Sequence, residues 1–388
     1  MGKADSDVFN VVEPETGRAI IRVIGVGGGG CNTVNQMAQS GIDGVEFICA
    51  NTDRQHLERC ATNQILPLGT KITRGLGAGS KPDVGRQSAL ESREVIADMI
   101  SGTDLLFITA GMGGGTGTGA TPVIAEIARE MNILTVAVVT KPFSFEGKKR
   151  LKAAQDGIEQ LEKFCDSLIL IPNQKLLVVL GEDATMPACF KAANDVLQNA
   201  VRGISDLITQ TGMVNVDFAD VRTVMENHGK AMMGAGQASG DDRAVRAVEM
   251  ALACPLLDDL ELTNAQGLLV NIACDHSIKM SEVDRIITRV TEIASEDVDV
   301  KFGTSTDESL NGELRVTVVA TGLGRPQSTK VVPIATTPPK VSEGRGWGVL
   351  ETPAINRGSP RGQPSMLQSL VEDENILNVP AFLRAQAD

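Results

Sequence analysis

Two runs of glycine constrain this chain more than any other feature. Gly25 to Asn32 and Gly111 to Gly119 each follow a short, near-continuously apolar β-rich stretch, 19–26 and 104–110, and each leads into helical sequence. The second run holds six glycines in nine residues. Such a run is costly in chain entropy and makes sense where the backbone must come close to a polyanion. A strand-to-helix turn of this kind presents free N–H groups at the positive end of a helix, with the hydroxyls of Thr116 and Thr118 as added donors. Pro122 then falls in the first turn of the following helix, where proline is tolerated. Further β-rich runs at 45–51, 133–140 and 167–171 alternate with helical stretches such as 83–100 and 120–131. Apolar strands separated by helices give a parallel sheet covered on both faces. The expected fold is therefore α/β, with a doubly wound nucleotide-binding domain over 18–186.

A long helical stretch, about 188–210, has no proline and one interior glycine, Gly203. It should span about 30–35 Å and forms a central helix, 187–211. Beyond it the pattern becomes a smaller α+β domain, 212–322. Helices are expected near 218–227, 241–253 and 281–294, with strands at 267–274 and 312–321. In the last strand Leu314, Val316 and Val318 alternate with Arg315 and Thr317, the pattern of a strand with one exposed face. Residues 325–364 hold seven of the 16 prolines and carry a charge of +4, against −13 for the whole chain. They read as a disordered linker (323–370), and residues 1–17 as a disordered N-terminal extension. The apolar cluster Ile376, Leu377, Val379, Phe382 and Leu383 then suggests that 371–388 is a docking peptide.

The net charge argues against a general nucleic-acid or anionic-membrane binder, and the 3% aromatic content against stacking on single-stranded nucleic acid; no direct membrane insertion is expected. No apolar run approaches the ~18–20 residues of a transmembrane helix, and the polar N-terminus is no signal peptide. Met1 to Ser6 fits the loose myristoylation pattern, a match common by accident. Seven scattered cysteines without a CxxC pair read as reduced, largely buried thiols. The three histidines, 56, 228 and 276, lie far apart in sequence, so no metal site is expected.

Gly25, Gly27 and Gly30 satisfy G-x-G-x-x-G, with Asp53 as a possible ribose acid, which is the pattern of an NAD(P)-dependent oxidoreductase. That reading leaves the second glycine run unexplained. A third segment, Gly75 to Gly79, could also cover phosphates. No G-x-x-x-x-G-K-[ST] occurs, so this is not a P-loop protein. Asp217 and Asp220 lie three apart at the start of an expected helix, on one face. They could cap it, or orient an attacking water.

Gly113 to Gly119 resembles the signature of the tubulin/FtsZ superfamily. So do Gly27 to Asn32, Asn51-Thr52-Asp53, Thr140-Lys141-Pro142-Phe143 and Asn215 to Asp220. The resemblance covers about 18–322 and the terminal Pro380 to Arg384, and is closest to the bacterial cell-division members. It implies a GTP-binding domain and a GTP-dependent filament protein of the cytoplasmic division ring at midcell. Mg²⁺ would accompany the nucleotide. Gly28, Gly29, Gly30, Cys31 and Asn32, with Gly115, Thr116 and Gly117, would contact phosphates and nucleoside. Glu146 and Arg150 would face the ribose and phosphate side, and Phe190, Asn194 and Asp195 the guanine. Asn215, Asp217 and Asp220 would be catalytic. A carboxylate at Asp195 could accept both N1–H and N2–H of guanine, worth roughly 1.5–3 kcal/mol. Cys31 stands where family members often carry glycine, and Asn378 where an aspartate is common. Partners implied are further copies of the chain, head to tail, and membrane-anchoring and regulatory division proteins at 371–388.

The central helix gives these assignments a geometric consequence. Asp195 lies near its start and Asp217 just past its end, some 30 Å apart on the sequence estimate, whereas a group activating water must be within about 3 Å of it. Asp217 and Asp220 would then act on a neighbour's nucleotide, in a stack that does not close. A scaffold that binds nucleotide without hydrolysing it would leave the two acids without a role.

Overall fold

The computed structural model describes residues 18–62, 64–181, 183–210, 212–226, 229–257, 265–294 and 298–323. The expected terminal extension, linker and docking peptide therefore lie outside the described residues. Contacts divide the chain into 1–326 and 327–388, and all described residues belong to the first unit.

The first half runs β1 (Ile21–Val26), α1 (Gly27–Gln39), β2 (Val45–Asn51), α2 (Arg54–Leu57), β3 (Gln64–Pro67), α3 (Thr70–Thr73), α4 (Pro82–Glu91), α5 (Arg93–Ile100), β4 (Leu105–Gly111), α6 (Thr116–Glu130), β5 (Leu134–Lys141), α7 (Lys148–Leu161), β6 (Ser167–Pro172) and α8 (Asn173–Leu180). Its six strands pair in parallel in the order β3-β2-β1-β4-β5-β6. Their side chains are buried on both faces, in two clusters. Val23, Leu105, Phe107 and Val136 face one side with Leu197 and Ile204; Ile24, Leu106, Ile108 and Ala137 face the other with Ile124 and Ile158. This is why the strands read as continuous apolar runs.

The long helix α9 (Met186–Thr209) starts two residues earlier than expected, with Thr185 accepting a hydrogen bond from the Ala188 N–H. The second half follows as α10 (Phe218–Met225), β7 (Gly229–Ser239), α11 (Arg243–Leu252), β8 (Gly267–Cys274), α12 (Met280–Ile293), β9 (Asp299–Thr306) and β10 (Glu313–Leu323). Its strands continue the same sheet as β7-β10-β8-β9, giving ten strands among the described residues. The join between halves is short: β6 and β7 pair in parallel over Ser167↔Gly229 to Ile169↔Ala231.

Three expectations are corrected, and β7 is a strand that the sequence did not suggest. The stretch 83–100 is two helices, broken at Ser92, whose hydroxyl turns to accept the Gly69 N–H at 3.0 Å. Pro122 lies inside α6, not in its first turn, because the helix already starts at Thr116. The alternation in β10 does not mark an exposed face. Thr317 is buried beneath α9, where a Cβ on Gly203 would meet its Cγ2 at 2.8 Å. Finally, β7 carries no β-branched or aromatic residue. It is built mainly of Gly, Ala and Met because α11 lies close over it: a Cβ at Gly234 or Gly236 would meet the carbonyl oxygens of Ala251 and Ala247 at 2.0 and 2.1 Å.

Candidate nucleotide site

The first glycine run is not a loop before a helix but the helix itself. Gly27, in the left-handed region at φ 72°, opens α1 directly after β1. Neither α1 nor α6 has a side-chain cap, so no side-chain cap takes up their first amides. The two N-termini meet: a Cβ on Gly27 would lie 2.8 Å from the Gly117 nitrogen, and one on Gly29 would lie 3.3 Å from that of Gly111. Gly28 and Gly29 are exposed, and Gly114 has open space where a Cβ would be. Two positive helix ends thus converge on one exposed glycine surface at the C-terminal edge of β1 and β4. That surface suits the phosphates of a nucleotide.

The other glycines answer to packing. A Cβ on Gly30 would meet the Thr109 carbonyl oxygen at 2.2 Å. The third segment borders the same turn: the Gly77 N–H donates to the Thr52 carbonyl at 3.1 Å, and Ala78 lies against Gly115. Thr116 shares a 2.7 Å hydroxyl contact with Thr52. Thr118 does not face outward as expected; its hydroxyl accepts the Gly113 N–H at 2.7 Å and holds the turn.

Beside the glycines lies a notch of about 80 Å³. Its lining includes Gly29, Glu146, Arg150, Asn173, Phe190 and Asn194. Glu146 pairs with Arg150 at 3.1 Å and accepts the Phe143 N–H at 2.9 Å. The i,i+4 pair therefore exists, and it faces the notch. Phe190 packs edge-on against buried Phe143, with centroids 5.5 Å apart. The Thr33 hydroxyl donates to Asn194 Oδ1 at 3.0 Å, which fixes α9 to α1. Asn173, which the sequence reading missed, is buried with its Oδ1 lacking a partner. An unpaired acceptor in a polar notch needs a donor from a ligand or water. The sequence gives no sign of it, since an Asn after Pro172 reads as an ordinary helix start.

Three expected residues sit differently. Cys31 is fully buried and its thiol points to the Gly25 and Ala50 carbonyls, so only its backbone can face a nucleotide. Asp195 accepts a hydrogen bond from Gln36 and is not part of the notch lining. Asp53 is engaged in capping α2, accepting the Gln55 N–H at 3.0 Å, so the ribose acid of the oxidoreductase reading is already occupied. Asn32 is exposed.

Asn215, Asp217 and Asp220 form a separate group. Asp217 caps α10 through the Asp220 N–H at 2.8 Å, and Asn215 accepts the Gly212 N–H at 2.8 Å. The Asp220 carboxylate lies 3.3 Å from Lys301, and this contact raises the lysine's pKa above its ordinary value. None of the three lines the notch. From Asp195 to Thr209 is fourteen residues, about 21 Å of helix, shorter than the sequence estimate. The direction of α9 matters more. Its Asn194 stands beside α1 at the C-terminal edge of the sheet, whereas its Thr209 lies against Gly44, just before β2 begins at the opposite edge. The acids follow that far end.

Residues 20–181 match the model of the Tubulin/FtsZ family GTPase domain, and 229–324 that of the FtsZ family C-terminal domain. The chain is 50% identical over 394 residues to the cell division protein FtsZ of Pseudomonas aeruginosa, covering 98% of this chain and all of that one. It is 50% identical over 386 residues to that of Coxiella burnetii, covering 97% and 99%. An FtsZ dimer structure from M. jannaschii superposes with a TM-score of 0.76 at 42% identity, covering 79% of this chain and 89% of that one.

Proposed function

The chain belongs to the tubulin/FtsZ family as a GTP-binding cell-division GTPase of tubulin-like, cytoskeletal type, and from that premise we propose that it hydrolyses GTP only where two copies meet. The single observation behind this reading is the course of α9. Its first half borders the notch, and its far end lies at the opposite edge of the sheet, next to the segment that carries Asp217 and Asp220. A carboxylate on one edge cannot come within hydrogen-bonding reach of a γ-phosphate on the other. Stacking copies edge to edge brings the acids of one to the nucleotide of the next. Such a contact leaves a free surface at each end, so it continues as a filament. The relative described as a dimer is in keeping with self-association.

In this reading the convergent amides of α1 and α6 hold the phosphates, and the Glu146–Arg150 pair, Phe190, Asn194 and Asn173 surround the nucleoside. Asp195 reaches guanine by exchanging its Gln36 contact. Mg²⁺ would neutralise phosphate charge. The Thr52 and Thr116 hydroxyls stand beside the turn, and such neutral oxygens suit an ion that keeps phosphate oxygens and waters as ligands. Asp220, and Asp217 beyond its capping role, would orient the attacking water. Loss of the γ-phosphate then weakens the contact that allowed it. The assembly is a division ring at midcell, anchored by partner proteins through 371–388.

The test is phosphate release from GTP across protein concentrations, with sedimentation of the same samples. The rate per molecule should rise from near zero above a threshold at which pelleting begins. A rate per molecule unchanged down to nanomolar protein would sink the shared site.

A further inference from the structure

Cys31 is separated in sequence from His56 by 24 residues, and His56 from Cys60 by three. The fold brings them together. Cys31 sits near the start of α1, His56 in α2 and Cys60 just after it, and their ligand atoms all lie within 4.8 Å of one another. The Cys60 segment is held to α1 independently, through the Ala61 N–H donating to Asn35 Oδ1 at 2.5 Å. Cys31 is fully buried, whereas His56 and Cys60 are half-buried and give a way in from solvent. We propose that Cys31, His56 and Cys60 form a binding site for a soft divalent cation of the zinc class, directly behind the phosphate turn.

The chemistry of the donors fits. Two thiolates and an imidazole suit zinc in tetrahedral geometry. At Zn–S distances near 2.3 Å, two sulfurs on one ion stand about 3.8 Å apart, so the group needs to close by only about an ångström. A fourth candidate is at hand. The Cys49 thiol on β2 lies over the Cys31 carbonyl at 3.9 Å, and the hydrogen bond from Cys31 pulls its pKa down to about 6. Cys31 is pushed up in return by Cys49 and by burial, and burial pushes Cys60 up to about 11. A bound ion would displace the thiol protons. The location carries the consequence. The His56 Cε1 is 3.9 Å from where a Cβ on Gly28 would stand, so the ion would staple the phosphate turn to α2.

The test uses the full chain, freed of metal and kept reduced, and titrated with Zn²⁺ against a chromophoric chelator and separately with Co²⁺. One equivalent should bind, with thiolate-to-cobalt charge-transfer bands and a tetrahedral spectrum. Cys60→Ser and His56→Ala, with folding checked by circular dichroism, should each weaken Zn²⁺ by more than the roughly 10–100-fold that loss of a supporting partner costs. Less than one equivalent, a cobalt spectrum without thiolate bands, or unchanged affinity in both variants would overturn the site.

Discussion

Replacing Asp220 by alanine removes a half-buried carboxylate whose side chain contacts Lys301 and supports none of the core. GTP should bind to Asp220→Ala as to the parent chain, while turnover falls about 100-fold or more, the range for loss of a group that handles a proton. Equilibrium binding and phosphate release measured together decide it, and lost binding would make the residue structural. Asp206 offers a pH test. Burial among α9, Arg202 and Arg315 raises its carboxyl to about 6, against the pull of both guanidinium groups. Its folded pKa thus lies above the ordinary carboxylate value. The stability it contributes is complete below pH ~4 and is lost as pH rises through about 6. Asp206→Asn should match the parent at pH 4 and exceed it at pH 8, by an order of 1–3 kcal/mol, in thermal melts across that range. Four side chains around the notch were legible through the family resemblance: Glu146, Arg150, Phe190 and Asn194 do come together. The inward turn of Cys31 was not, because a glycine run read as a loop hides the helix phase that aims the next side chain. Nor was the approach of His56 and Cys60 to Cys31, since only the path of α2 carries them back to α1.

Among the elements, α4 and α6 lie in backbone contact. A Cβ on Gly119 would fall 1.9 Å from the Pro82 carbonyl oxygen, and one on Gly85 would fall 2.3 Å from that of Gly115. Gly119→Ala gains helix propensity of about 1 kcal/mol, but it must push α4 away, and the 78–81 segment over Gly115 moves with it. Overpacking at backbone atoms costs about 1–3 kcal/mol or more. Calorimetry should therefore show a melting temperature lower by several degrees, and nucleotide binding should weaken. An unaltered melting temperature would mean the two helices separate freely. The parallel strands and α9 were readable because their residues are apolar or helix-forming in their own right. Strand β7 was hidden because its composition answers to the close approach of α11 rather than to β propensity. The break at Ser92 was hidden because it answers to Gly69, more than twenty residues away.

For the molecule as a whole, the described residues all belong to the unit that ends at 326, and the family models match within 20–324. A chain stopped after 326 should fold, hydrolyse GTP and sediment like the full chain, yet lose recruitment to membrane-anchoring partners; pelleting assays and a co-sedimentation assay with vesicle-bound partner read both. Retained recruitment would refute docking through 371–388. Two halves were legible from the change of pattern after the long helix, but their union in one sheet was not, because a pairing between β6 and β7 leaves no trace in either sequence. That narrow join has a mechanical meaning. At its far end β6 runs straight into α8, whose first residue, Asn173, leaves an acceptor open toward the notch. At its near end Ser167 grips Gly229 in the ladder and the Met225 carbonyl through its hydroxyl. One strand therefore ends at the notch on one side and at the second half on the other. The two halves of the sheet share only that three-pair ladder, so within the sheet whatever holds them at a fixed angle must pass through it.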